Sequence, residues 1–264
     1  MTAVIDTTSI AKSFSNAAQT YDAWALPQTF VAKKLCSLLP QNARHILDLG
    51  CGTGLMTDLV RQQYPAAFIT GVDPAEGMIQ QCKKRFASDT RTTFILTTAE
   101  RYVSSCSFDL IVATCSMHWF SDKQKAVSNI RSSLMCGGKV GVAIPIQGSL
   151  PELYASYQAV MGAEMPGVKL LPAKSYSTIF SEAGLFVEHA IVEEVRMTVP
   201  DSLFVIDSLR CIGGAPKGLS FESPLPDNQL EEILAFYNSH FATENGVDFT
   251  YQFLFGIASK YDEH

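Results

Sequence analysis

The sequence predicts an α/β fold: a mostly parallel sheet covered by helices, with a late antiparallel strand and a helical lid inserted after strand five. Three observations carry this. Short β-branched runs alternate with helical segments from residue 45 to residue 146, the pattern of a parallel sheet buried on both faces. A glycine-rich turn follows the first of these runs without a gap. Two further apolar runs, 186–199 and 249–259, come after helical stretches that break the regular alternation. With 47% hydrophobic and 17% charged residues among 264, the chain has material for a large core, and disorder is excluded.

The elements follow in order. Thr8 or Ser9 is the expected N-cap of a first helix, whose apolar residues Ile10, Phe14, Ala17, Tyr21 and Trp24 recur at helical spacing. Pro27 breaks that pattern before a second helix over roughly 28–39. His45–Gly50 is the first strand, then a helix from about Leu55 to Tyr64, a strand over 68–73 and a helix over 75–86. Strands three and four are 93–97 and 108–114; a helix over about 122–135 ends at Gly137-Gly138, and strand five is 139–146. Helices over 150–161 and 173–184, the strand 186–199, a helix over 201–211, a Gly/Pro-rich loop (213–226), a helix over 227–240 and the strand 249–259 complete the chain. This reads as a single domain over 1–264. Residues 1–40 are gating helices, 45–146 a cofactor-binding core, and 147–245 a substrate lid with late sheet elements interleaved.

Charge and cysteine usage narrow the class. A net charge of −6 argues against binding a nucleic-acid backbone. The seven cysteines, at 36, 51, 82, 106, 115, 136 and 211, form no C-x-x-C pair and match no zinc template. Nothing points to a metal. No window approaches 18 uninterrupted apolar residues, so no membrane span is expected. A reduced, cytoplasmic protein is the expectation.

The informative segment is Leu47-Asp48-Leu49-Gly50-Cys51-Gly52-Thr53-Gly54. Glycines between an apolar strand and a helix allow a sharp turn and close approach of backbone to a ligand. The spacing is G-x-G-x-G rather than the G-x-G-x-x-G of dinucleotide binders. Asp73 ends the next strand, 19 residues after Gly54, where a carboxylate can accept both hydroxyls of a ribose lying across the sheet. The alternative for Asp73 is an Asp-Pro turn that caps the following helix.

With these residues the chain resembles the class I S-adenosylmethionine-dependent methyltransferases, whose sheet is Rossmann-like. The resemblance covers residues 45 to about 145 and implies S-adenosylmethionine as cofactor. It implies that Asp48, Gly50, Cys51, Gly52 and Gly54 form the cofactor loop along the methionine moiety. Asp73 would bind ribose, Pro74 and Met78 would flank adenine, and Thr114 would line the site at the end of strand four. Thr98 stands where the family usually has an acid for the adenine amino group; Ala99 still offers its backbone N–H.

Residues 12–22 (KSFSNAAQTYD), 147–160, 207–214 and 249–258 resemble, in order and spacing, the malonyl-acyl-carrier-protein O-methyltransferases of biotin biosynthesis. This implies O-methylation of the free carboxylate of a malonyl thioester, carried by acyl-carrier protein or coenzyme A. Methylating a carboxylate needs no general base, since the nucleophile is ionised at neutral pH; alignment and water exclusion suffice. Methylation of another small acid such as aconitate, or a non-catalytic cofactor-binding assembly factor, are the other readings.

Three residues are candidates for the reaction. Tyr21 reads as a gate over the cofactor or as a core residue. His118, after strand four, reads as a hydrogen-bonding group or a structural histidine; Trp119 reads as packing. Arg210, on a lid helix, reads as a solvated arginine or as a bidentate clamp for the carboxylate. The thiols of Cys51 and Cys115 read as small apolar fillers. Lys169, Lys174, Arg210 and Lys217 would face an acidic carrier protein.

Overall fold

The computed structural model describes residues 6–104 and 107–261; Cys106 lies outside them. The chain opens with α1 (Thr7–Ala17), α2 (Tyr21–Trp24) and α3 (Leu26–Leu38). The core then alternates β1 (His45–Leu49), α4 (Leu55–Gln63), β2 (Phe68–Asp73), α5 (Glu76–Arg85), β3 (Thr92–Leu96), β4 (Phe108–Thr114), α6 (Lys123–Ser133) and β5 (Leu134–Pro145). After it come α7 (Pro151–Met161), α8 (Ala173–Glu182), β6 (Phe186–Val199) and α9 (Ser202–Cys211). A short hairpin of β7 (Leu219–Ser220) and β8 (Ser223–Pro224) leads to α10 (Asp227–His240), β9 (Ala242–Thr243) and β10 (Gly246–Ser259).

The main sheet has the order β3-β2-β1-β4-β5-β10-β6. β1 pairs in parallel with β2 and β4, and β4 with β5. β10 inserts between β5 and β6 and runs antiparallel to both. Successive side chains on a strand point to opposite faces, so β4 feeds two cores. Leu110 and Val112 join the apolar cluster beneath α3 and α4, whereas Ile111 and Ala113 join the one beneath α6 and α8.

At the N-terminus the structure differs from the sequence expectation. The cap of α1 is Asp6, whose carboxylate accepts from Thr8 and Ser9 N–H, not Thr8 or Ser9 itself. The stripe that reads as one helix is broken after Ala17. There the Thr20 hydroxyl donates to the carbonyls of Ala17 (3.0 Å) and Cys211 (2.8 Å), so a side chain takes over from helical pairing and ties the break to the end of α9. Pro27 sits inside the first turn of α3, where its missing N–H costs nothing.

The β5 strand begins at Leu134, before the two glycines expected to precede it. Gly138 lies against the Phe108 carbonyl, where a Cβ would come within 2.9 Å. The helices that follow β5 divide into two sets. α10 packs on α7 and α9, and α9 on α2, whereas α8 packs against α6 and β6 and belongs to the sheet layers. Among the described residues, no helix is long and apolar enough to cross a membrane.

Candidate functional site

The site forms at the carboxyl ends of β1, β2 and β4, where the glycine turn leaves the sheet. Gly50 and Cys51 N–H both donate to the Val72 carbonyl, at 2.7 and 3.0 Å, which folds the turn back onto β2. Gly50 has φ +73° and lies against Ser116; a Cβ there would stand 2.3 Å from the Ser116 Cβ. Gly52 has φ +55° with open space where its Cβ would be, so this stretch of backbone faces the pocket bare.

Asp73 closes the turn from the other side. Its carboxylate accepts from Gly52 N–H at 2.9 Å and from Ala75 N–H at 2.8 Å. Burial pushes its pKa up to about 6, against the pull of those two amides. The Asp-Pro turn is thus present, and the same carboxylate stands on the pocket wall. Asp48 lies beneath the turn and off that wall. It accepts from the Thr57 hydroxyl at 2.6 Å, its other oxygen has no partner among the described residues, and burial raises it to about 7. Gly54 likewise lies off the wall and caps α4 in left-handed backbone.

The cavity above the turn, about 750 Å³ counting the space open to solvent, is lined by Gly50, Gly52, Asp73, Pro74, Met78, Thr98, Ala99, Thr114 and Tyr21. α1 covers it through Ile10, Ala11 and Phe14, with Phe14 meeting Trp119 edge to face at 5.4 Å. Trp119, expected as packing, thus borders the site. Glu100, which sequence reasoning passed over, is also on the wall, two residues beyond the position where an acid was expected. Its carboxylate is engaged, accepting Ser121 N–H at 2.8 Å and the Ser121 hydroxyl at 3.0 Å, with Thr98 as a further partner.

Tyr21 lies half-buried between the main cavity and a smaller chamber beside it, and burial raises its hydroxyl far above the ordinary range. Cys51 lines only the smaller chamber, its sulfur 3.9 Å from that of Cys82. Cys115 sits on both walls with its thiol pushed up to about 12, which disfavours a thiolate nucleophile.

Two of the three reaction candidates are not on the pocket wall. His118 is buried in the 3-10 turn Met117–Trp119, its Nδ1 has no partner among the described residues, and burial with nearby Lys123 lowers it to about 3. Such an imidazole stays neutral at physiological pH. Arg210 is not a solvated arginine, and it lies off the pocket wall where a carboxylate clamp would stand. Its Nε donates to the Leu219 carbonyl at 2.6 Å, its Nη1 pairs with Asp207 at 3.2 Å, and its guanidinium lies 5.1 Å from the Phe221 ring centre. The arginine pins the β7–β8 hairpin to α9.

A nucleoside-bearing cofactor fits these residues. The bare backbone at Gly52 admits close approach, the Asp73 carboxylate sits on the wall, and the buried Thr114 hydroxyl is without a partner. Comparison with known proteins agrees. Residues 46–138 match the family described as methyltransferase domain. A relative from Priestia megaterium named malonyl-[acyl-carrier protein] O-methyltransferase is 27% identical over 92% of this chain and 94% of its own. One of the same name from Geobacter sulfurreducens is 27% identical over 97% of this chain and 100% of its own. A Haemonchus contortus phosphoethanolamine N-methyltransferase, solved with S-adenosylhomocysteine, shares the fold with a TM-score of 0.59 at 17% identity, covering 99% of this chain and 61% of that one.

Fold, pocket and matched domain define the class: the chain is an S-adenosylmethionine-dependent methyltransferase with the Rossmann-like class I fold. Over almost its whole length it is similar to the malonyl-[acyl-carrier protein] O-methyltransferases.

Proposed function

We propose that this chain transfers a methyl group to the free carboxylate of a malonyl thioester, carried by acyl-carrier protein or coenzyme A, early in biotin synthesis in the cytoplasm. One observation carries the reading: the similarity to relatives of that name runs over 92–97% of the chain and so includes α7, α9 and α10, outside the matched domain.

The roles are those the family resemblance implies, supported by the presence of these residues on the pocket wall. Bound S-adenosylmethionine supplies an electrophilic methyl group on a sulfonium. Asp73 would accept from the ribose hydroxyls, Pro74 and Met78 would flank the adenine, and Thr98 with Ala99 would meet its edge. Gly50 and Gly52 would let the backbone lie along the methionine moiety. Tyr21 closes over the reacting centre and, with Phe14 and Trp119, keeps water out. No proton need be removed from a carboxylate, so the reaction asks no general base of the pocket.

In this reading residues 1–40 gate the site, 45–146 hold the cofactor, and the lid of α7, α9 and α10 meets the acyl carrier. Lys169, Lys174 and Lys217 are exposed, and Gly167 lies close to Pro216, so Lys169 and Lys217 offer a local basic face to an acidic carrier. The test is incubation with methyl-labelled S-adenosylmethionine and malonyl-, succinyl- and acetyl-carrier protein, with malonyl-coenzyme A alongside. Label on malonyl species alone is expected. Label on none of them overturns the proposal.

A further inference from the structure

Cys51 in the glycine turn and Cys82 in α5 face each other with their sulfurs 3.9 Å apart. They form a small buried cluster with Ile79, against which Phe94 packs. Glycines make room for both sulfurs: a Cβ on Gly71 would stand 3.1 Å from Cys51 Sγ, and one on Gly54 would stand 3.2 Å from Cys82 Sγ. Cys82 Sγ also donates to the Gly52 carbonyl at 3.1 Å. α5 thus holds the turn through this thiol, while Asp73 holds the Gly52 N–H. Cys82 is fully buried, whereas Cys51 lines the smaller chamber, which meets the main cavity along Tyr21, Gly50, Gly52, Thr114 and Cys115. A small neutral oxidant therefore has a route to Cys51 through the cavity, and a cofactor seated there closes it.

We propose that Cys51 and Cys82 are an oxidation site: a peroxide joins them in a disulfide that weakens cofactor binding, and bound cofactor protects the pair. In the first step the Cys51 thiolate attacks one oxygen of hydrogen peroxide and the O–O bond breaks. A sulfenic acid and hydroxide form, and the hydroxide takes up the proton the thiol released, giving water. In the second step the Cys82 sulfur attacks that of Cys51, the S–S bond forms and the S–O bond breaks. The hydroxyl leaves as a second water with the Cys82 proton. The two sulfurs give up two electrons, which the peroxide gains. A disulfide holds its sulfurs about 2.0 Å apart, so each advances by roughly 1 Å. Oxidised Cys82 has no S–H for the Gly52 carbonyl, and Cys51 is drawn toward α5, so the turn loses a tie and shifts. The attacking species is the thiolate. Hydrogen bonding to Cys82 and burial, with the Asp73 and Asp48 carboxylates adding to them, push the Cys51 thiol well above its ordinary range. The reaction is therefore slow near neutrality and quickens as pH rises. It depends on the cofactor and not on which acid is methylated.

The test treats the reduced chain with hydrogen peroxide at about pH 7 and about pH 8.5, with and without saturating S-adenosylhomocysteine. Free thiols are then alkylated and the peptides mapped by mass spectrometry. A linked Cys51–Cys82 peptide should form in the cofactor-free chain, severalfold faster at the higher pH, and about tenfold more slowly with ligand bound. Calorimetry on the oxidised chain should show S-adenosylhomocysteine bound about tenfold more weakly, with dithiothreitol restoring the affinity. Cys82→Ser keeps a donor for the Gly52 carbonyl and removes the second thiol. Its affinity before oxidation should stay within about twofold of the parent, and dimedone should trap a sulfenic acid on its Cys51. The proposal is overturned if peroxide modifies the exposed Cys136 while Cys51 and Cys82 stay reduced. It is equally overturned if the linked chain binds as tightly as the reduced one, or if bound ligand gives no protection. A reduced parent that binds no S-adenosylhomocysteine would refute the cofactor reading itself, and this proposal with it.

Discussion

The Asp73 carboxylate and the Gly52 amide are joined by a 2.9 Å hydrogen bond, so the residue that ends β2 holds the glycine turn in shape while standing on the pocket wall. Asp73→Ala removes the acceptor for two amides, those of Gly52 and Ala75. The expected result is a ten- to hundredfold loss of S-adenosylmethionine affinity, about 1–3 kcal/mol, by calorimetry on the folded variant. Burial raises Asp73 to about 6, above its ordinary value, so the carboxylate takes up a proton as pH falls through that range. Affinity should be level above about pH 7.5 and weaken below about 6. Affinity held constant down to pH 5 would show that the charge of Asp73 plays no part.

Gly50 and Gly52 separate fold from binding. Gly50→Ala places a Cβ 2.3 Å from that of Ser116 in left-handed backbone, so the turn itself must shift and the variant should lose about 2 kcal/mol or more of stability in urea unfolding. Gly52→Ala meets no atom and bears only the left-handed strain, about 1–2 kcal/mol. It should nevertheless bind the cofactor much more weakly, because its methyl group occupies the pocket. Equal stability losses with intact binding would contradict this division.

Asp48 provides a pH test of stability. Its folded pKa is raised to about 7, chiefly by burial, with the neighbouring Asp73 charge adding to it. The folded chain therefore keeps a proton that the unfolded chain releases near its ordinary pKa, and stability falls as pH rises between about 4 and 7. Asp48→Asn retains an acceptor for the Thr57 hydroxyl and has no proton to release. It should come close to the parent at pH 4 and exceed it by roughly 4 kcal/mol at pH 8. Denaturant unfolding at pH 4, 6 and 8 reads this directly; a constant difference across that range would refute it.

Arg210 is expected to act on stability rather than on substrate choice. Its side chain is 10% exposed and held by Leu219 and Asp207, so Arg210→Ala should cost about 1.5–3 kcal/mol and loosen the 219–224 hairpin. Lysine cannot make both contacts, so Arg210→Lys should rescue little. The KM for a malonyl thioester should move much less than the melting temperature. A selective rise in KM with unchanged stability would restore the clamp.

Glycine spacing and strand periodicity are local properties, which is why the turn at Gly50–Gly54, Asp73 at the end of β2, and the sheet elements were legible in the amino-acid order. Left-handed backbone needs glycine wherever it occurs, and alternating burial leaves its mark on every strand. The position of the first helix break was not legible, because it depends on the Thr20 hydroxyl finding the Cys211 carbonyl 191 residues away. Nor were the directions of Arg210 and His118. Each follows an apolar or aromatic pattern that fits a pocket equally well, and only packing turned one toward Leu219 and buried the other away from the pocket wall. Gln28 gave no signal at all, being one polar residue at the start of α3. Only where α3 meets the end of β4 does its Oε1 come to lie buried without a donor among the described residues. Local chain geometry thus determined the fold and the cofactor turn by sequence alone, while the direction of each long side chain, set by contacts between distant segments, was decided only by the tertiary structure.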